Sequence, residues 1–188
     1  VIVFVVGAPG VGKTTLLEGL LDGFDTFMHP APKWTLSPPF ALVGHYGQTF
    51  GGGDTLGYTQ GSEAVDYMFN ALKPNRDYQY FFLDGDRMSS QAILEQVEKA
   101  GIRPYCLLLT ATDQALKQRC SQRGSNQNPV WAKGRKTKAH NFAAKFPLSR
   151  KLEIDTTALS PDMVRSMLLQ FLGYCEACEN GPCNCGDE

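Results

Sequence analysis

The chain of 188 residues is 43% hydrophobic and 20% charged, which provides for one compact core and excludes wholesale disorder. No apolar run approaches the roughly 20 residues that span a bilayer, so a soluble, cytoplasmic protein without a membrane partner is expected. Eighteen basic and 19 acidic side chains leave a net charge of −1, which selects no class of partner.

Residues 1–6, Val-Ile-Val-Phe-Val-Val, form a continuous β-branched run, the pattern of a parallel strand covered on both faces. A glycine-rich turn follows, then Leu16, Leu17, Leu20 and Leu21 at helical spacing with Gly23 as the stop. Residues 24–61 are dense in proline and glycine and read as loops with one strand over residues 40–44. A loop region of that length in a small domain points to function. Ser62 precedes a helical pattern of Ala64, Val65, Met68, Phe69 and Leu72 that Pro74 ends. Residues 80–83 are a short apolar strand, and Ser90 then caps Ile93, Leu94 and Val97 before Gly101. A strand at 105–109 leads to a helix near Asp113, on which Arg119 and Arg123 share a face. A further helix is predicted over 138–146, capped by Thr137 and stopped by Pro147. After a strand at 152–154, Ser160, Pro161 and Asp162 start a last helix closed by Gly173. This alternation predicts an α/β three-layer sandwich, a mostly parallel sheet of about five strands with helices on both faces. The domain is expected over 1–173, followed by a cysteine-rich acidic tail at 174–188.

Charge is segregated along the chain. Residues 117–151 hold ten basic and no acidic side chains, leaving −11 for the remainder. Such a stretch is either a solvated helical face or a field aimed at a polyanion. Trp131, His140, Phe142 and Phe146 interleave it, and with Lys133, Arg135, Lys136 and Lys138 they favour nucleic acid. The cysteines divide as well. Cys106 and Cys120 read as apolar fillers, whereas Cys175, Cys178, Cys183 and Cys185 have a spacing that could wrap one structural zinc, the alternative being a frayed tail.

Gly7-Ala8-Pro9-Gly10-Val11-Gly12-Lys13-Thr14 satisfies G-x-x-x-x-G-K-[ST] between a buried strand and a helix. Glycines let backbone N–H groups converge on phosphates, and the helix N-terminus adds its positive end. Gly7, Gly10, Val11, Gly12, Lys13, Thr14 and Thr15 are therefore the expected ATP contacts, with Lys13 on the β and γ phosphates and the Thr14 hydroxyl on Mg²⁺. Asp84, at the end of the 80–83 strand, matches a second magnesium ligand or a group acting on an acceptor hydroxyl. Asp86 and Arg87 could share those tasks, and the alternative for Asp-Gly-Asp is a polar turn. Asp54, in Gly51-Gly52-Gly53-Asp54-Thr55-Leu56-Gly57, has no cation close in sequence and could take the proton of an attacking hydroxyl, or simply sit in a turn. Trp34, His45, Tyr46, Phe50 and Tyr58 could stack on a base or pack beneath the loop. No N-K-x-D or D-x-x-G element marks a GTPase.

Over residues 1–172 the chain resembles the small-molecule and nucleotide kinases of the P-loop class. That resemblance implies a basic lid at about 117–146 closing over the donor phosphates, with Arg119 and Arg123 stabilising the transferring group. More narrowly, Asp54-Thr55-Leu56 after a glycine run, with Lys133-Gly134-Arg135-Lys136-Thr137-Lys138-Ala139-His140-Asn141, resembles phage-encoded kinases of hydroxymethyl-pyrimidines in DNA. The resemblance implies ATP-dependent phosphorylation of hydroxymethyluracil within DNA. The rival readings are a kinase of a free nucleoside, nucleotide or small alcohol, and a nucleotide-binding ATPase without an acceptor.

Overall fold

The computed structural model describes residues 1–47, 51–125 and 128–174. The cysteine tail, Cys175, Cys178, Cys183 and Cys185, and Phe50 lie outside the described residues. Seven strands form one sheet: β1 (Ile2–Gly7), β2 (Phe27–Pro30), β3 (Lys33–Ser37), β4 (Phe40–Val43), β5 (Tyr80–Asp84), β6 (Tyr105–Thr110) and β7 (Lys151–Asp155). Their order is β2-β3-β4-β5-β1-β6-β7. The five strands from β4 to β7 run parallel, while β2 and β3 pair antiparallel at one edge. The fold is the expected α/β sandwich, with two more strands than the sequence suggested.

Those extra strands lie in the stretch read as loops. Its prolines do not break the ladders because Ala31-Pro32 and Pro38-Pro39 occupy the turns between β2 and β3 and between β3 and β4, and Pro30 ends the edge strand. Trp34, Thr35, Leu36 and Ser37 of β3 are buried.

β1 explains the layering. Ile2, Phe4 and Val6 point into one apolar layer and Val3 and Val5 into the other, so every position of the strand is covered. The first layer is closed by α2 (Gln60–Tyr67), α3 (Gln91–Lys99) and α5 (Pro129–Ala143), and the second by α1 (Lys13–Gly19) and α6 (Pro161–Phe171). At the edge of that second layer α4 (Asp113–Gln122) packs through Ala115 and Leu116. Caps on four helices are side-chain oxygens that accept a backbone N–H: Ser90 from Ile93, Thr112 from Ala115, Asn128 from Val130 and Trp131, and Ser160 from Met163.

One helix differs from its expected bounds. Asn128 with Pro129 at the first helical position starts α5 nine residues before Lys138, and Thr137 lies inside it, its hydroxyl donating back to the Lys133 carbonyl. The second half of the anticipated lid is thereby core: Ala139, Phe142, Ala143 and Phe146 are buried, with the Phe142 ring 5.2 Å from that of Phe4. At the domain end, Tyr174 still packs on Phe40 and Tyr80. No helix among the described residues is long and apolar enough to cross a membrane.

Candidate active site

Because β1 is flanked by β5 and β6, whose helices turn to opposite faces, a crevice opens beyond the carboxyl ends of these strands. A cavity of ≈ 650 Å³ occupies it, lined by the Gly7 to Leu16 turn, residues 84–87, Arg119 and Arg123, the first half of α5 and the start of α6.

The phosphate loop is held by its main chain. Gly12, with φ 102°, takes a left-handed conformation that a side chain would strain, and a Cβ there would meet nothing within 4 Å, so its requirement is conformational. Leu16 N–H donates to Gly12 O at 2.9 Å to open α1. Lys13 Nζ donates to Gly7 O at 3.1 Å and to Ala8 O at 3.4 Å, which keeps the ammonium over the loop. Thr14 and Thr15 line the same cavity.

Asp84 ends β5 and is 4% exposed. Its Oδ2 accepts from the Tyr46 hydroxyl at 3.3 Å and from Gly53 N–H at 3.5 Å, while Oδ1 is buried without a hydrogen-bond partner. Burial pushes the Asp84 carboxyl above the ordinary carboxylate range, Lys13 pulls it back, and Asp54 adds to the rise. Burial likewise pushes Tyr46 well up, reinforced by the negative Asp84. Tyr46 is fixed in turn by Thr35, whose hydroxyl accepts Tyr46 N–H at 3.1 Å and donates to Gly44 O at 2.8 Å. Gly53 must be glycine because a Cβ would lie 2.0 Å from the Asp84 carbonyl oxygen. An unpartnered buried carboxylate oxygen beside a threonine hydroxyl and a phosphate loop is a hard-oxygen donor set suited to Mg²⁺.

Arg87, weighed beside Asp84 in the sequence, and Arg135, expected to face nucleic acid, line the other end. Asp54 was expected to lack a cation, but Arg87 Nη1 lies 3.7 Å from its Oδ1 and also donates to the Asp54 carbonyl. Chain folding after β5 brings Arg87 across to the glycine run, a contact that sequence distance conceals. Asp86 is bound twice, by Arg135 and by Lys138 at 2.9 Å, and Lys136 pairs with Asp113 at 2.8 Å. Three of the four cations expected to face nucleic acid are therefore paired within the chain, and Lys133 alone of them stands exposed without such a contact. The acids that neutralise them come from α4 and the β5 loop, outside the segment whose charge was counted.

Arg119 of α4 and Arg123, the residue just after it, both reach the cavity. Arg119 donates to Thr156 Oγ1 at 2.9 Å and to Thr156 O at 2.6 Å, and the Thr156 hydroxyl donates to Val11 O at 3.0 Å, tying the arginine to the phosphate loop. Arg123 is exposed at the rim. Of the aromatic residues weighed for stacking, Trp34 is core, Tyr46 serves Asp84, and His45 Nε2 donates to the His29 carbonyl oxygen, 2.9 Å away. Among the described ones Tyr58 alone lines the cavity, 87% exposed. Sequence reasoning missed the roles of Tyr46 and Thr156. A hydroxyl aimed at an aspartate 38 residues on leaves no local signal.

Residues 1–173 match the P-loop Nucleotide Kinase3 family. The chain belongs to that family. As a P-loop nucleotide kinase it is an ATP-dependent phosphotransferase, of a class that uses ATP with Mg²⁺. No curated protein matches the chain. Among solved structures, that of deoxyadenosine kinase from M. mycoides with bound dATP is similar at 10% identity and a TM-score of 0.47, over 90% of this chain and 98% of that one.

Proposed function

We propose that this kinase transfers the γ-phosphoryl group of ATP to a hydroxyl of a base-bearing acceptor, and that the acceptor to try first is the hydroxymethyl group of hydroxymethyluracil within DNA. The single observation that carries the transfer reading is the unpartnered, buried Asp84 Oδ1 at the mouth of the phosphate loop. Thr14 and Asp84 would hold the magnesium ion, which neutralises charge on the phosphates when bound. Lys13 draws on the β and γ phosphates, and Arg119 and Arg123 face the transferring group from the end of α4. Tyr46 and Gly53 fix which carboxylate oxygen is offered.

In the transfer the acceptor oxygen bonds to the γ-phosphorus as the bridge oxygen to ADP leaves, and the hydroxyl proton passes to Asp54, whose carboxylate Arg87 orients. The DNA acceptor is supported by the resemblance over residues 51–57 and 133–141, by exposed Arg123 at the cavity, and by exposed Lys117 and Lys133 on α4 and α5. A zinc-bound cysteine tail would add a separate structural element. Incubation with γ-labelled ATP and a panel of hydroxymethylated DNA, ordinary DNA and free nucleosides tests the reading. Label in hydroxymethylated DNA supports it, label in free nucleosides alone removes DNA as the acceptor, and phosphate release without any labelled acceptor removes the kinase step.

A further inference from the structure

The acceptor end of the cavity carries two stacks of arginine on an aromatic ring. The Arg87 guanidinium lies 4.7 Å from the ring centre of Tyr58, and that of Arg135 lies 4.9 Å from the ring of Trp131. All four side chains line the cavity, yet Tyr58 is 87% and Trp131 45% exposed. Consecutive residues fasten both stacks: Arg87 is itself one partner, and Asp86 holds Arg135 by an ion pair. Rings kept in water at a cavity wall by fixed guanidinium groups are platforms on which a further planar ring gains contact area.

Charge then separates two kinds of acceptor. Arg87 faces Asp54, and Arg135 and Lys138 both face Asp86, so each of these cations already meets a carboxylate. Asp84 beside them receives only neutral donors on its Oδ2. Among the described residues Arg119 and Arg123 form no ion pair and line the cavity from α4 and the residue just after it, and Lys13 lies over the phosphate loop. A phosphate carried by the acceptor would have to displace a carboxylate from an arginine and settle among three acidic side chains. An uncharged ring meets no such opposition.

We propose that the acceptor site takes an uncharged nucleoside-like alcohol, its base stacked on Tyr58 and Trp131, in preference to the same compound bearing a 5′-phosphate. This selection rests on the alcohol-acceptor reading above and names its substrate class. Where the base belongs to a polynucleotide, the base enters and the chain phosphates stay outside.

Trp131 supplies the probe, since the other tryptophan, Trp34, is fully buried in the core. Without ATP, the full chain is titrated with 5-hydroxymethyl-2′-deoxyuridine and separately with its 5′-monophosphate, and tryptophan fluorescence is followed. Transfer from γ-labelled ATP to each compound is measured in parallel. The nucleoside should quench with a Kd at least about tenfold below that of the monophosphate. Tyr58→Ala should weaken nucleoside binding about tenfold and Tyr58→Phe should restore it, as stacking on a ring requires. Equal or tighter binding of the monophosphate, an unchanged Kd in Tyr58→Ala, or no quenching by either compound would overturn the proposal. If neither compound nor hydroxymethylated DNA is labelled, the kinase reading fails, while the quenching comparison still decides what the site binds.

Discussion

The two ends of the cavity are built by different means. At the donor end, consecutive residues from Gly7 to Thr14 present backbone groups, and their conformation is set by glycines at positive φ, 81° at Gly10 and 102° at Gly12. At the acceptor end, Tyr46, Gly53, Asp54, Tyr58, Asp84, Asp86, Arg87, Trp131 and Arg135 arrive from separate turns, a strand end and a helix, and side chains hold one another. A site made of main chain tolerates wide change beyond its motif. A site made of side-chain pairs fails or shifts when any partner is removed, and substitutions at the two ends should differ accordingly.

The largest effect is expected at the donor end. Lys13→Ala removes the cation over the loop and should lower kcat by about 10²–10³-fold, the cost of losing one donor to developing charge. Thermal unfolding should change little by comparison, because Lys13 donates to the Gly7 and Ala8 carbonyls of its own loop and attracts Asp84 without forming an ion pair with it. A Tm fall as large as the rate loss would make Lys13 structural.

Gly53→Ala comes next, and it should break stability and chemistry together. The new Cβ would meet the Asp84 carbonyl oxygen at 2.0 Å, a backbone atom that cannot swing aside. Destabilisation of about 3 kcal/mol is expected from overpacking, read by denaturant unfolding, with loss of Asp84 alignment. Gly12→Ala makes the contrast at the donor end: it adds strain from φ without any clash, and its cost should be smaller.

These contrasts also explain what the sequence disclosed. The phosphate loop, the parallel strands β1, β5, β6 and β7, and the caps at Ser90 and Ser160 were legible because each depends on residues within a few positions. β2 and β3 were not, since proline density signals turns and only pairing shows that the turns join strands. The +10 stretch carries less unpaired charge than its sequence suggests, for a related reason. Charge summed along a segment ignores the aspartates that folding brings to it, here Asp86 and Asp113. Asp54, a candidate base or turn residue in the sequence, lines the cavity, and its partner Arg87 was invisible at a separation of 33 residues.

Asp86→Asn sharpens the point about charge. It releases Arg135 and Lys138 at a modest cost of about 1 kcal/mol, since these side chains are 30% and 42% exposed and screened by water. Single-stranded DNA should then bind about three- to tenfold tighter in low salt, with a steeper dependence on ionic strength. If DNA affinity and its salt slope stay the same, the two cations are not directed at a polyanion even when free.

The smallest effect separates function from stability within one residue. Asp84 has its folded-state value raised by burial, so its ionised form is the disfavoured one in the folded chain. Below the unfolded value of about 3.8 both states are protonated and nothing is lost; as pH rises through the raised folded value, the cost of a buried charge grows to its full size and stays there. Asp84→Asn is neutral at every pH and can still accept from Tyr46 through its amide oxygen. Its Tm without nucleotide should therefore exceed that of the parent at neutral pH, and the advantage should shrink toward pH 4, while magnesium-dependent turnover falls. A variant less stable than the parent at neutral pH would mean that Lys13 more than offsets the burial of this carboxylate, and Lys13→Ala in the same background would then reverse the order.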